Sequence, residues 1–518
     1  MKRKNCLLFF VLSVLSTWAT ESDIRRVIEL EDEWKFINRD VREGAAIDLD
    51  DSDWEVMSIP HDWAIIKPFD MNMDMQRTQV IEDGETKALL RTGRTGALNA
   101  FGVGWYRKKI IVSEQGRGKK IFVEFDGAMS LAKVYLNGNF IGEWPYGYTS
   151  FTFELTDKIK FGSENILSVR LENLPESSRY YTGAGLYRGV RLVILNPVHV
   201  AHWGTFVTTP VVSVDKAIVD VRTNVCVRTK QKGKIKLVTE ILDQEGKKVA
   251  KAISTSHQAD SIFYHQKLQM KSPHLWSVSS PYLYSVLSKV FVDGKMADCY
   301  LTTMGIRSID FDTNKGFLLN GQPFKLKGVC LHHDLGPIGA AVNVAALKRQ
   351  LRLLKEMGSN AIRTSHNPPS REFLQLTDSM GFVVQVEAFD EWKVAKNLNG
   401  YHLYFDEWAE KDLRAMIRRD RNHPSVIMWS IGNEVREQKM PEGKEIAKFL
   451  TDLCHQEDAT RPTTSGFNYH MDAIINGLAD EVDVVGLNYK PHDYAKLHAK
   501  YPQYKLYGSE TVSTWSSR

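Results

Sequence analysis

Cysteine is scarce and scattered. Five occur in 518 residues, and none sits in a CxxC pair or at Cys/His ligand spacing, so the sequence offers neither a disulfide framework nor a zinc site. Long apolar runs are missing too: the longest near the N-terminus, Cys6 to Leu15, is too short to span a bilayer. Lys2, Arg3 and Lys4 precede that run, the order of a secretory signal, so residues 1–20 are expected to be a signal peptide cut near Ala19, with the mature protein secreted or periplasmic. Net charge is nearly absent. Losing those three cations takes the formal charge from +4 to +1, which points to neither nucleic acid nor, after cleavage, a membrane surface as partner.

What is present is a globular composition, 43% hydrophobic and 25% charged, with 12 Trp, 19 Tyr and 23 Phe. At this length several domains are expected. From about 21 to 200 the chain reads as strands and turns. In "AKVYLNG", Ala132, Val134 and Leu136 alternate with Lys133, Tyr135 and Asn137, the period of a half-buried sheet. From 201 to 305 a second set of short strands, with turns every eight to twelve residues, suggests an immunoglobulin-like β-sandwich.

From about 306 strands and helices alternate. "FKLKGVC" precedes a helix with Leu347, Leu351 and Leu354 on one face, ended by Gly358. "NAIRTS" precedes another with Phe373, Leu376 and Met380, ended by Gly381. "FVVQVE", "VIMWSIG", "RPTTSGF", "DVVGLN" and "KLYGSE" complete seven apolar strands, the pattern of a parallel (β/α) barrel without its eighth strand.

In such a barrel, polar residues just past the strand ends share one rim. Those ends carry His332, His333 and Asp334; Arg363, His366 and Asn367; Glu387 and, beyond it, Asp390; Asn433 and Glu434; Asn488 and Tyr489; and Glu510. Singly, each has the ordinary explanation of a side chain facing water. Recurrence at the same end of successive strands argues for one pocket. The rim has no nucleophilic Ser or Cys, no metal-ligand cluster and no Gly-rich phosphate loop. Two carboxyl groups then suit cleavage at an acetal carbon, one protonated to assist the leaving oxygen and one ionised. Glu434 and Glu510 are the best pair. The acid needs a raised pKa, and a cation such as Arg363 keeps the nucleophile ionised.

These motifs resemble glycoside hydrolase family 2, the β-galactosidases, β-glucuronidases and β-mannosidases, over nearly the whole chain. "RDRNHPSVIMWSIGNEV" is similar to the acid/base signature, which implies that Glu434 is the proton donor and that Asn433 contacts the sugar 2-hydroxyl. "LYGSET" resembles the nucleophile strand and assigns that role to Glu510, with Tyr489 of "NYK" approaching it. "GFLLNGQPFKLKGVCLHHD" implies a sugar contact for His332, and "NAIRTSHNP" implies His366 for substrate and Arg363 for the nucleophile. "PHDW", "GVGWYRKK", "VYLNG", "YGYTSFTFELT" and "YYTGAGLYRGVRL" resemble the family's jelly-roll sugar-binding domain.

The family's Asp-Glu pair after strand three appears as Val386 and Glu387. The metal-ligating histidine of some relatives falls near Lys393, so no magnesium or other cofactor is expected.

The expected architecture is therefore a jelly roll (21–200), an immunoglobulin-like sandwich (201–305) and an incomplete TIM barrel (306–518) that stops after strand seven. The chain would be a fragment of a longer product or a truncated polypeptide. The missing unit would expose strand edges and favour a homo-oligomer. The expected activity is that of a retaining exo-β-glycosidase acting on a carbohydrate substrate, its carboxyl groups about 5 Å apart. "SIGNEV" and "GSETVS" resemble secreted bacterial β-galactosidases more than glucuronidases, so a terminal β-galactoside is the expected substrate. The alternatives are a β-glucuronidase or, in another class, an inactive paralogue that binds carbohydrate.

Overall fold

The structure is a computed structural model that describes residues 24–79, 88–92, 95–229, 233–257 and 260–512. The expected signal peptide lies outside them. Among the described residues no helix is long and apolar enough to cross a membrane.

The N-terminal part is a jelly roll of a four-stranded and a six-stranded antiparallel sheet. Strand Lys120–Phe125 alternates buried and half-buried residues, and Ala132–Leu136 repeats the period, so each strand turns one apolar face inward. Those faces meet in one core that includes Trp34, Trp63, Val123, Phe125, Val134 and Leu167.

A sandwich of a three-stranded and a four-stranded antiparallel sheet follows, between Val198 and Met304. Its strand Ser261–Lys271 alternates exposed and buried residues throughout. The inward set packs with Val219, Val221 and Val286 in one cluster and with Val225 and Val290 in another.

The C-terminal part is a seven-stranded parallel sheet in sequential order, wound as a TIM barrel. Its strands are β1 (Gly328–Leu331), β2 (Ala361–Thr364), β3 (Val383–Glu387), β4 (Val426–Asn433), β5 (Thr463–Phe467), β6 (Val484–Asn488) and β7 (Leu506–Glu510). The intervening helices are α1 (Val344–Glu356), α2 (Arg371–Met380), α3 (Phe405–Asp420), α4 (Glu442–Glu457), α5 (His470–Ile475) and α6 (Tyr494–Lys500). β2 to β6 are buried along their whole length, which is why none of them alternates exposed and buried residues as the strands of the sandwiches do. α1 starts where the Asn343 side chain accepts the Ala346 N–H, and α2 where Ser370 accepts from Phe373. α2 ends at Gly381, whose φ of 76° is left-handed.

β1 begins later than "FKLKGVC" suggests. Gln322–Pro323 pairs antiparallel with Gly316–Leu319, and the Phe324 N–H donates to Phe317, so the start of that stretch belongs to a small sheet outside the barrel. α3, whose Leu413, Met416 and Ile417 face the barrel core, has no counterpart among the expected helices.

Candidate active site

The rim residues converge. At its centre Arg363, from the end of β2, is almost fully buried and spends every donor on neighbours. Its Nε and Nη2 reach the two oxygens of Glu387 at 3.0 Å each, Nη1 reaches Glu510 Oε2 at 2.9 Å, and Nη2 also reaches Asn433 Oδ1 at 2.6 Å. A planar fork suits this task, since it engages carboxylates from β3 and β7 at once. Burial works against the Arg363 charge, but Glu387 and the surrounding groups outweigh it and hold the guanidinium well above its ordinary range.

Glu510 stands at the end of β7 and accepts from Arg363 and, at Oε1, from the Tyr489 hydroxyl at 2.7 Å. Burial pushes its carboxyl up. Arg363 and Tyr489 push harder, and the net position is below the usual glutamate range. Glu434, at the end of β4, accepts at Oε1 from the Asn488 amide at 2.9 Å, and its Oε2 lies 4.0 Å from Arg179 Nη1. The same Asn488 nitrogen is 3.4 Å from Glu510 Oε2. One amide thus bridges the two glutamates.

The backbone is bent to achieve this. Glu434 has φ 45° and Tyr489 φ 61°, the left-handed region that costs a non-glycine residue about 1–3 kcal/mol. Adjacent strands pin both: the Glu434 N–H donates to Gly466 at 2.7 Å and the Tyr489 N–H to Glu510 at 2.6 Å. Gly466 itself has no room for a side chain, because a Cβ there would lie 2.9 Å from Asn488 Oδ1 and 3.2 Å from Arg363 Nη2.

The histidines sit beside this pair. His366 Nδ1 is 2.6 Å from Glu387 Oε1; burial and Arg363 hold the imidazole well below its ordinary range, so the contact is a hydrogen bond from a neutral ring. Burial also lowers His332, whose Nδ1 has no partner and whose ring lies 4.6 Å from that of Tyr180. His333 turns away and meets the Thr182 carbonyl at 3.0 Å. His332, Arg363, His366, Glu387, Asn433, Glu434, Tyr489 and Glu510 therefore fall in one connected cluster, while His333 points to the jelly roll.

Sequence reading missed part of that cluster. Arg179, in the jelly roll, makes a paired contact with Asp390 at 2.8 and 2.6 Å. Lys396 joins Asp390 at 3.0 Å and the Asn433 carbonyl at 2.7 Å, and the Asn433 amide donates to Asp390 at 2.9 Å. Burial opposes the Asp390 charge, yet Arg179 and Lys396 hold its carboxyl well below the ordinary range. Asp390 and Asn488 were visible as rim residues without a role. A loop arginine in another domain carries no periodic signal at all.

Glu387, Asp390, Glu434 and Glu510 face Arg179, Arg363 and Lys396, four carboxyl groups against three cations. Among the described residues no group of three or more His, Cys, Asp or Glu is arranged to hold a metal ion.

Residues 312–509 match the description "Glycosyl hydrolases family 2, TIM barrel domain", and residues 198–307 match "Glycosyl hydrolases family 2". A β-galactosidase of Bacteroides ovatus is 38% identical over 520 residues, covering 94% of this chain and 59% of that protein. A β-glucuronidase of Bacteroides fragilis is 33% identical over 399 residues, 74% of this chain and 56% of its own length. Among solved structures, a glycosyl hydrolase family 2 member from Bacteroides cellulosilyticus superposes with a TM-score of 0.87 at 38% identity, over 94% of this chain and 62% of that one. This chain thus spans less than two thirds of the length of each of these relatives. On the family matches and this extended similarity, the chain belongs to glycosyl hydrolase family 2.

Proposed function

We propose that the chain carries the catalytic centre of a retaining exo-β-glycosidase, with Glu434 as proton donor and Glu510 as nucleophile. The observation that carries this reading is the Asn488 amide shared by both carboxyl groups. Its two contacts place one oxygen of each carboxyl no more than about 6.3 Å apart, a limit that admits the ~5–5.5 Å of retaining pairs.

The roles follow from the surroundings. Glu510 has a cation and a hydroxyl donating to it and is ionised at neutral pH, as a nucleophile must be. Glu434 has one amide donor and a more distant arginine already paired with Asp390. Glu434 therefore has fewer partners than Glu510, which leaves it the role of carrying the catalytic proton. Glu434 then gives that proton to the glycosidic oxygen as Glu510 attacks the anomeric carbon and the C–O bond breaks. In the second half Glu434 takes a proton from water, whose oxygen displaces Glu510 and releases the sugar.

For the sugar we favour a terminal β-galactoside. Arg179, Arg363 and Lys396 each already face a carboxylate, so a neutral ring disturbs no ion pair. The B. ovatus relative is named a β-galactosidase. One observation favours a β-glucuronide instead: Lys490, next to Tyr489, reaches the Asn468 carbonyl at 3.0 Å and has no carboxylate partner among the described residues. The B. fragilis relative carries the β-glucuronidase name.

Incubation with 2-deoxy-2-fluoro-β-galactosyl and β-glucuronosyl fluorides, followed by peptide mass spectrometry, tests the reading. A glycosyl adduct on Glu510 is expected from the preferred sugar, and Glu510→Gln should lower kcat by about 10⁴-fold or more. An adduct on another residue refutes the assignment. Absence of turnover on every β-glycoside leaves a carbohydrate-binding protein as the better account.

A further inference from the structure

The jelly roll sends a charged side chain into the candidate active site. Arg179 lies between the jelly-roll strands Glu164–Asn173 and Val190–Leu195 and reaches the barrel at Asp390, 211 positions further along the chain.

Asp390 is more than a charge partner. Its Oδ1 accepts from Arg179 Nη2 at 2.6 Å, from Lys396 Nζ at 3.0 Å and from the Asn433 amide at 2.9 Å; among the described residues its Oδ2 accepts from Arg179 Nε alone, at 2.8 Å. Lys396 and Asn433 both hold one oxygen, about which the carboxylate is free to pivot. The planar Arg179 fork engages both oxygens and so fixes the plane of the group.

That plane sets the orientation of Asn433. A carboxylate only accepts and a guanidinium only donates, so the Asn433 amide is held one way round, with Nδ2 toward Asp390 and Oδ1 toward Arg363 Nη2 at 2.6 Å and Asn488 Nδ2 at 3.1 Å. Its nitrogen carries two hydrogens and spends one of them on Asp390.

Asn433 also stands at the pair of glutamates. Glu434 follows it in the chain, the Asn488 nitrogen that donates to Asn433 reaches both Glu434 and Glu510, and Arg363 joins Asn433 to Glu510. A donor in this position lies beside the anomeric carbon that Glu510 attacks, and the hydroxyl adjoining that carbon is the 2-hydroxyl.

We propose that Arg179 is a positioning residue of the glycosidase site: through Asp390 it fixes the Asn433 amide so that the remaining N–H donates to the sugar 2-hydroxyl. The proposal rests on the reading of Glu434 and Glu510 as the catalytic pair. Hydrogen bonds to this hydroxyl strengthen in the transition state, so a misaligned amide costs rate more than affinity. The jelly roll thereby acts on the reaction through a relay of two barrel side chains.

Arg179 Nη1 also lies 4.0 Å from Glu434 Oε2, and the competing account is a direct effect of its charge on Glu434. Arg179→Lys separates the two, because it keeps the cation and loses the fork. Wild type and variant, as full chains, are assayed on 4-nitrophenyl β-galactoside and on its 2-deoxy analogue, or on the matching β-glucuronides if that sugar is preferred. The variant should lose about tenfold or more in kcat/KM on the parent glycoside and stay within about twofold on the 2-deoxy one, so the ratio between the substrates falls about fivefold or more. Both substrates report on the same folded fraction, so partial unfolding leaves the ratio unchanged. Asn433→Ala should lower the ratio as well, and adding Arg179→Lys to it should lower it no further.

An equal loss on both substrates, no loss on either, or a further fall of the ratio in the double variant overturns the proposal. Calorimetric titration of Glu510→Gln protein with the two glycosides, with and without Arg179→Lys, separates it from the catalytic reading. If nothing is hydrolysed but the parent glycoside binds more tightly than its 2-deoxy analogue and Arg179→Lys removes that difference, the catalytic reading fails and the hold on the 2-hydroxyl stands. If nothing is hydrolysed and the two glycosides bind alike, or their difference survives Arg179→Lys, both are refuted.

Discussion

Tyr489 shows what a single residue contributes to the site. Its left-handed backbone turns the chain out of β6, and its hydroxyl reaches Glu510 at 2.7 Å. That hydrogen bond stabilises only the ionised carboxyl, so Tyr489→Phe should raise the Glu510 pKa while leaving the ring packed as before. The sign is fixed by which form is favoured: Glu510 of the variant becomes ionised at higher pH, so, if it is the nucleophile proposed above, the acidic limb of the kcat/KM profile moves upward. A hydrogen bond to a charged group is worth roughly 1.5–3 kcal/mol, and partial solvent access reduces it here, so a shift of about one pH unit is expected. A pH–rate profile that superposes on the wild type would show that the hydroxyl does not tune the nucleophile. At this scale, the candidate site residues were legible in the sequence because each sits at a strand end next to a recognisable turn. Asn488 was visible there too, but its bridging of Glu434 and Glu510 depends on the spacing of three strands.

At the scale of elements, α3 is tied to the jelly roll through Asp412. This buried carboxyl accepts from Trp144 Nε1 at 2.8 Å, across the domain boundary, and from the Tyr401 hydroxyl at 2.5 Å. Burial, the dominant influence, pushes it from an ordinary 3.8 up to about 7, against the pull of its hydrogen bonds. The folded chain therefore keeps a proton that the unfolded chain releases. The stability this group contributes is full below about 3.8 and is lost as pH rises to about 7. Asp412→Asn removes that titration. Thermal unfolding at pH 5 and pH 8 should show the wild type losing more of its Tm across the interval than the variant does. Parallel pH dependences would mean that Asp412 is already ionised in the folded protein at pH 5.

For the whole molecule, the interface between jelly roll and barrel positions Arg179 on Asp390, and a pair of buried arginines holds that interface. Arg188 donates to the Tyr148 carbonyl at 2.8 Å on its own domain and to the Pro368 and Pro369 carbonyls at 2.9 and 3.2 Å on the barrel. Arg419 of α3 answers from the other side, reaching Ser150 Oγ at 2.9 Å and Pro369 at 2.7 Å. Arg188→Ala takes the donor from the buried Tyr148 and Pro368 carbonyls, each worth about 1–3 kcal/mol, so a destabilisation of about 2–4 kcal/mol is expected. Urea unfolding followed by calorimetry should show a lower midpoint and a jelly-roll transition separating from that of the barrel. A single transition at the wild-type midpoint would show that the domains are held by other contacts.

The periods of two and of strand–helix alternation were enough to read the layers of this protein, because burial of one face, or of a whole strand, leaves its mark on consecutive residues. The same local logic located Glu434 and Glu510 at strand ends. It misplaced the start of β1, since Gln322–Pro323 pairs backwards with a hairpin that no local pattern announces, and it passed over α3. The partnership of Arg179 with Asp390 was beyond it, because those residues are 211 positions apart and meet only once two separate cores have formed and docked. Local patterns in the chain were sufficient to name the candidate site residues and the elements they ride on. Tertiary structure alone decided which of them share a proton, a charge or a cleft, since those relations depend on distances of a few ångströms between segments that have no reason to be neighbours in the chain.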